Sequence, residues 1–263
     1  MHTGRIGYPL NELTNQDLIN EELCYEIRLL EEPQEILFNL IKRFKERAAI
    51  VTSGQLSGMI LLQMAYENKL PFRACTIDTL RLFPETYEFF ERVETHYNIR
   101  IERITPEPEA VDRMVANHGE FLFFDSKQKQ EYCCNIRKVQ PMQRLLDTLD
   151  VWFSGLRRDQ SNNRQSTPKA EIIEHNGRPI LKVNPLADWP EARIWEYIHK
   201  HDVPVNPLME PQKYGQYYES LGCIICTTPI LPGEPKRAGR WRWQNAPSSE
   251  EDNKKECGIH YAI

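Results

Sequence analysis

The chain has 263 residues, of which 40% are apolar and 27% charged, a composition that suits a globular core of one large domain and excludes a disordered or fibrous protein. Its net charge of −5 argues against a general nucleic-acid binder, for which a basic domain is expected. No apolar run of membrane-spanning length occurs, and residues 1–16 lack the apolar core of a secretion leader. Seven cysteines without a leader point to metal or redox chemistry in a reducing cytoplasm rather than to a disulfide framework.

In chain order, Leu18, Ile19, Leu23 and Ile27 predict one short helix within a polar stretch read as an N-terminal extension, residues 1–30. From Pro33, the set Ile36, Leu37, Leu40, Ile41 and Phe44 recurs at helical spacing, with proline suited to a first turn. Ala48–Thr52 reads as a buried strand ending at Ser53-Gly54. A helix through Met59, Leu62 and Ala65 and a strand from Phe72 to Ile77 follow. Then come a helix over Pro84–Tyr97, a strand at Ile99–Ile104, helical stretches around Val111–Ala116 and Asn135–Leu146, and a strand at Val151–Ser154.

Strands alternating with helices predict an α/β fold with a doubly wound, mostly parallel sheet. Ligands in such sheets lie beyond the carboxyl ends of the strands, here Ser53-Gly54, Asp78-Thr79 and Gly155–Arg158. Beyond residue 160, Gln160–Pro168 reads as a loop. Glu171–Ile173 and Ile180–Val183 are expected to pair across Asn176-Gly177, and Trp189–His201 to be helical, with Pro190 in its first turn. The main domain is taken as residues 31–235, followed by a basic segment and an irregular catalytic tail, residues 236–263.

The strongest chemical signal is Cys133-Cys134 with Cys223-Ile224-Ile225-Cys226. Four thiolates suit a [4Fe–4S] cluster or tetrahedral zinc, and an adjacent pair is unusual for structural zinc. Cys24 and Cys75 read as core residues. His118 and His175 read as surface or packing residues. Cys257 stands apart in Lys254-Lys255-Glu256-Cys257-Gly258-Ile259-His260, where cationic neighbours favour the thiolate a nucleophile needs. Lys236–Trp243 carries four cations and no acid, Arg137-Lys138 follows the cysteine pair, and Arg157-Arg158 ends a strand. Arginine suits phosphate and sulfate. The loop Ser53–Gly58 can offer backbone amides to phosphate but is not a Walker A motif.

These pieces resemble the adenylyl-sulfate and phosphoadenylyl-sulfate reductases of sulfate assimilation. The matching runs are Asp78–Tyr87, Cys133–Val139, Gly155–Ser161, Gly222–Cys226, Ala238–Trp241 and Lys255–His260, in the family's order. The resemblance implies an adenine-nucleotide alpha-hydrolase-like sheet and a [4Fe–4S] cluster on Cys133, Cys134, Cys223 and Cys226. It implies Cys257 as the nucleophile that takes the sulfonate from adenylyl-sulfate, and thioredoxin or glutaredoxin as the separate reductant. Ser53, Thr79, Leu80, Phe83, Lys138, Arg157, Arg158, Arg237, Arg240 and His260 are the implied substrate-binding residues. Neither nucleic acid nor membrane is expected as a partner, and the sequence leaves open whether the chain forms a homo-oligomer.

The chain departs from the family's pattern where Gly54-Gln55-Leu56-Ser57 replaces an acidic nucleotide loop, and where Leu80 stands in place of a common glycine. Altered affinity is expected from both. The competing readings are a cluster-bearing reductase of the 3′-phosphorylated substrate or of both substrates, a non-catalytic iron–sulfur sensor, and an ATP pyrophosphatase on the same fold.

Overall fold

The computed structural model describes residue 15, residues 18–210 and residues 217–244. Helix α1 (Glu21–Leu29) is capped by Asn20, whose side chain accepts the Leu23 N–H at 3.0 Å. It lies within the stretch read as an extension, and it buries Leu23, Cys24 and Ile27 in the main core. Then come α2 (Pro33–Phe44), β1 (Ala48–Val51), α3 (Leu56–Glu67), β2 (Arg73–Ile77), α4 (Pro84–Tyr97), β3 (Ile101–Ile104) and α5 (Pro108–His118). The later elements are α6 (Lys127–Cys134), α7 (Gln140–Leu146), β4 (Val151–Phe153), β5 (Ala170–His175), β6 (Arg178–Val183) and α8 (Glu191–His201).

Six strands form one sheet in the order β3-β2-β1-β4-β6-β5. All neighbours are parallel except β5 and β6. The expected mostly parallel α/β sheet is therefore present, with one antiparallel edge. Its central strands are apolar on both faces because helices cover both. Ala48 and Ile50 face the larger core with α2, α3, α4 and α8, while Ala49 faces a smaller core with Met142, Leu145 and Leu146 of α7. The β5–β6 hairpin turns through Asn176 and Gly177, both at positive φ (52° and 73°), as a tight two-residue turn requires.

Several boundaries differ from the sequence reading, three of them by more than trimming at an end. Strand β3 starts at Ile101 because Asn98 takes a left-handed conformation and the Ile99 N–H bonds back to the Glu94 carbonyl at 3.1 Å. Pro190 caps α8 from outside instead of lying in its first turn. The helix expected from Asn135 already begins at Lys127, and its stretch Asn135–Val139 is a π-helical turn.

One buried ion pair ties the sheet's start to its second half. Asp150, 1% exposed, receives Arg47 Nε at 2.6 Å and Nη2 at 2.8 Å, with Arg178 at 3.6 Å. Replacing Asp150 by Ala strands two guanidinium groups beside a buried strand end. Because Arg47 keeps partial access to water, the expected loss is about 2–3 kcal/mol. Urea unfolding should show a lower midpoint at unchanged slope; a shift worth under about 0.5 kcal/mol would deny the pair a structural role.

Candidate functional site

Chain order reverses between β1 and β4, and the crevice beyond their carboxyl ends is where such sheets bind ligands. A cleft of about 450 Å³ opens there. Its floor is built by close backbone approaches. A Cβ at Gly58 would lie 2.2 Å from Thr52 Oγ1, and one at Gly155 would lie 3.0 Å from Ser57 Cβ. Gly58 lets the first turn of α3 close onto the end of β1, and Gly155 lets the loop after β4 approach that turn. Ser53 lines the cleft and accepts a hydrogen bond from Gln55 Nε2 at 2.6 Å. Gln55 Oε1 accepts the Leu221 N–H at 3.0 Å, tying this loop to the segment that leads into Cys223.

The two neighbouring arginines separate. Arg157 is buried in the cleft, donating to Ser57 Oγ at 2.7 Å and to Asp159 at 2.9 Å. Arg158 turns away to Asp188 and to the Thr167 carbonyl, and does not line the cleft. Phe83 also lies outside the cleft lining. It is buried with Leu208 and Leu221 and meets Tyr218 edge-on at 5.2 Å, supporting the wall from behind.

Leu80 is half exposed and does not line the cleft, but its backbone is left-handed at φ 58°. Asp78 holds it there, accepting the Leu80 N–H at 2.8 Å and the Tyr87 hydroxyl at 2.7 Å. Burial and the adjoining Asp78 push the Tyr87 hydroxyl up to about 12, so that it stays a donor. A leucine in this region costs about 1 kcal/mol in the folded state, partly offset on replacement by the freer unfolded chain that glycine gives. Leu80→Gly is therefore expected to raise stability by up to about 1 kcal/mol. A lowered midpoint in thermal or urea unfolding would contradict that.

The cysteines meet at a second, smaller cavity. Cys133 and Cys134 end α6, and Cys223 and Cys226 bracket a short 3-10 turn; all four line the cavity with Arg81, Arg137, Lys138 and Trp241. Cys133, Cys223 and Cys226 are buried and Cys134 is partly exposed. The turn is fixed from three sides: the Cys226 N–H bonds the Cys223 carbonyl, the Ile224 N–H bonds the Arg81 carbonyl, and the Trp241 N–H bonds the Cys226 carbonyl. Gln130 Nε2 lies 3.0 Å from Cys134 Sγ, and Cys223 Sγ lies 3.3 Å from Thr79 Oγ1. Cys24 and Cys75 are apart from this set, buried in the core as expected.

Burial, with the Cys223 sulfur adding to it, pushes the Cys133 thiol up and the Cys226 thiol up to about 12, while Arg137, Arg81, Lys138 and Arg240 act in the opposite sense. Burial, helped by neighbouring Arg81, lowers the Arg137 guanidinium. Buried donors Arg81 Nη1, Arg137 Nε, Arg240 Nε and Trp241 Nε1 have no hydrogen-bond partner among the described residues. Among the described residues no group of three His, Cys, Asp or Glu is arranged to hold a single metal ion. The four thiols ring this cavity. Soft sulfur donors around a space, with unmatched N–H groups beside them, fit a multi-atom anionic group bound through sulfur.

Lys138 lines both cavities, standing between the cleft and the cysteines. Thr79, Arg237 and Arg240 line the cleft with it. Gly222 makes room for Arg240, since a Cβ there would fall 2.2 Å from the guanidinium. The remaining charged residues of the cleft wall are Arg157, Arg164, Glu191, Glu219 and Lys236. Sequence reasoning missed Gln55 as a strut, Arg81 at the cysteines, and the carboxylates of this wall. Cys257 and His260 lie outside the described residues.

Comparison with known proteins bears on this arrangement. Residues 47–229 match the family described as the phosphoadenosine phosphosulfate reductase domain. The chain is 40% identical over 224 residues to the adenosine 5′-phosphosulfate reductase of Allochromatium vinosum, covering 85% of this chain and 82% of that one. It is 39% identical to the protein of that name from Rhizobium meliloti, covering 84% and 78%. It is 37% identical to the chloroplastic 5′-adenylylsulfate reductase 3 of Arabidopsis thaliana, covering 87% of this chain and 48% of that longer one. Among solved structures, the phosphoadenylyl-sulfate reductase of Candida auris in a phosphate complex superposes with a TM-score of 0.63 at 25% identity, covering 86% of this chain and all of that one.

Proposed function

The chain belongs to the phosphoadenosine phosphosulfate reductase family, an oxidoreductase family of sulfate assimilation, and from that premise we propose that it reduces adenylyl-sulfate to sulfite and AMP through Cys257, with a dithiol protein as reductant. The observation that carries this reading is the position of Lys138, which lines the nucleotide cleft and the four-cysteine cavity at once. A fixed cation there meets the phosphosulfate end of a nucleotide whose base lies toward β1 and β4. Arg237 and Arg240 add charge at the same end. Together they offset the repulsion between an incoming thiolate and two anionic groups.

In the proposed reaction, the Cys257 thiolate attacks the sulfate sulfur. An S–S bond forms as the bond from that sulfur to the bridging phosphate oxygen breaks, and AMP departs with the electron pair. A thiolate of thioredoxin or glutaredoxin then attacks Cys257 Sγ and releases sulfite. The reductant's second thiol resolves the mixed disulfide, so the two electrons come from the dithiol. Cys133, Cys134, Cys223 and Cys226 would hold a [4Fe–4S] cluster. When bound, that group supplies charge and shape beside Lys138 rather than electrons. A reducing, cytoplasmic compartment fits both the thiol chemistry and the ligand set.

The test is anaerobic turnover with thioredoxin, adenylyl-sulfate being compared with its 3′-phosphorylated form while iron and sulfide are assayed on the same sample. Sulfite from adenylyl-sulfate, with about four irons per chain, is the expected result. No sulfite from either substrate on a fully loaded protein would remove the reductase reading.

A further inference from the structure

We propose that Gln55 is the positioning residue that presents the Ser53 hydroxyl to the nucleotide: clasped to the Leu221 peptide, its amide holds the Ser53 oxygen and leaves the serine proton free to donate into the cleft. The inference rests on the reading of the cleft as the site of an adenine nucleotide, and adds the residue that prepares one of its donors.

Gln55 stands at the N-cap of α3, but unlike Asn20 at α1 its side chain bonds no N–H of its own helix. It reaches across to a segment 166 positions along the chain instead. There Oε1 accepts the Leu221 N–H at 3.0 Å, and Nε2 lies 3.5 Å from the Leu221 carbonyl oxygen. Leu221 is a firm anchor for this clasp, since it is buried with Phe83 and Leu208. The first turn that follows Gln55 carries Leu56, Ser57 and Gly58, which all line the cleft.

The clasp fixes which end of the amide meets Ser53. A backbone N–H only donates, so the atom against it is the amide oxygen, and the nitrogen is turned to Ser53 Oγ, 2.6 Å away. An amide nitrogen also only donates, so the serine oxygen accepts. The single hydroxyl proton is then left for another acceptor, and the described residues offer it none. Ser53 is exposed and lines the cleft, where a ligand can supply that acceptor. Phosphate, ribose and adenine edge all carry acceptors, so a nucleotide meets the hydroxyl with one whichever part lies there. A carboxylate in place of the amide would reverse the polarity, because it only accepts and would draw the serine proton to itself. A donor already oriented before the ligand arrives spares part of the ordering cost of binding.

The test is the equilibrium affinity of the full-length protein for AMP, measured by calorimetry in a double-mutant cycle. Ser53→Ala and Gln55→Ala are each expected to weaken binding about fivefold, the size of one net hydrogen bond. Because Gln55 acts through Ser53, the double variant should also lose about fivefold, whereas independent effects would multiply to about twenty-five-fold. Gln55→Glu keeps an oxygen for the Leu221 N–H but takes away the donor, and is expected to bind AMP at least about fivefold more weakly than the parent. Multiplied losses in the double variant overturn the proposal. So does an affinity within about twofold of the parent in Gln55→Ala or Gln55→Glu, and so does a parent protein that binds no AMP. If AMP binds but the parent releases no sulfite from either substrate, the reductase reading has failed, and the cycle still decides the role of Gln55.

Discussion

Cys257→Ser is expected to lose sulfite release by about four orders of magnitude or more while keeping its iron and its affinity for AMP. The reason is chemical at two successive steps. A serine hydroxyl is far less acidic than a thiol, so the neighbouring Lys254, Lys255 and His260 cannot hold it as an anion at neutral pH. Were oxygen nevertheless to capture the sulfonate, the product would be a sulfate ester. A dithiol has no S–S bond to open in such an ester, and no sulfite would leave. The loss should therefore lie in turnover, with nucleotide binding and the visible absorbance of the protein unchanged. The parent protein, incubated with adenylyl-sulfate without reductant, should gain the mass of one sulfonate group; the serine variant should not. Turnover near that of the parent would remove Cys257 as the nucleophile.

The sheet was largely legible in the sequence because its signals are local. Ala48–Val51, Arg73–Ile77 and Val151–Phe153 are short, largely apolar runs ended by small or polar residues, and Pro33 opens the helix before the first of them and Pro84 the helix after the second. The turn at Asn176-Gly177 needs two residues at positive φ, and that dipeptide announces it. What stayed hidden depends on partners distant along the chain. Neighbouring Arg157 and Arg158 have the same chemistry, yet only tertiary packing sends one to Ser57 and the other to Asp188. Phe83 sits in a motif beside the nucleotide strand, but its ring is drawn behind the wall by Leu208 and Leu221. The π-helical turn at Asn135–Val139 has no periodic signature in five residues, although it buries Arg137 and Lys138 just after the cysteine pair. Glu219 and Lys236 are seventeen positions apart, so neither segment alone reveals that their side chains meet in the cleft wall.

Cys226→Ala is the second large expected effect: the protein should lose most of its iron and, with it, turnover. The fold itself is expected to persist, because the turn around the cysteines is held by backbone bonds, from the Cys226 N–H to the Cys223 carbonyl and from the Trp241 N–H to the Cys226 carbonyl, that alanine retains. What is lost is one sulfur donor of four at a cavity where Arg81, Arg137 and Trp241 present unmatched N–H groups. Those donors suit a sulfur-rich anion and gain nothing from a methyl group. Cys75→Ala is the fitting control. That thiol is also pushed up to about 12 by burial, with Glu102 adding to it, but it packs under Trp152 and Met142 and should keep iron in full. Retention of a full iron complement in Cys226→Ala would mean that the ligand set is wrong. The effect should also cross into the cleft. Cys223 touches Thr79, and Lys138 lines both spaces, so the iron-depleted variant should bind AMP several-fold more weakly although none of the four cysteines lines the nucleotide cleft. An unchanged AMP affinity would show that the two cavities act independently, and would leave Lys138 a substrate-binding residue with no second duty.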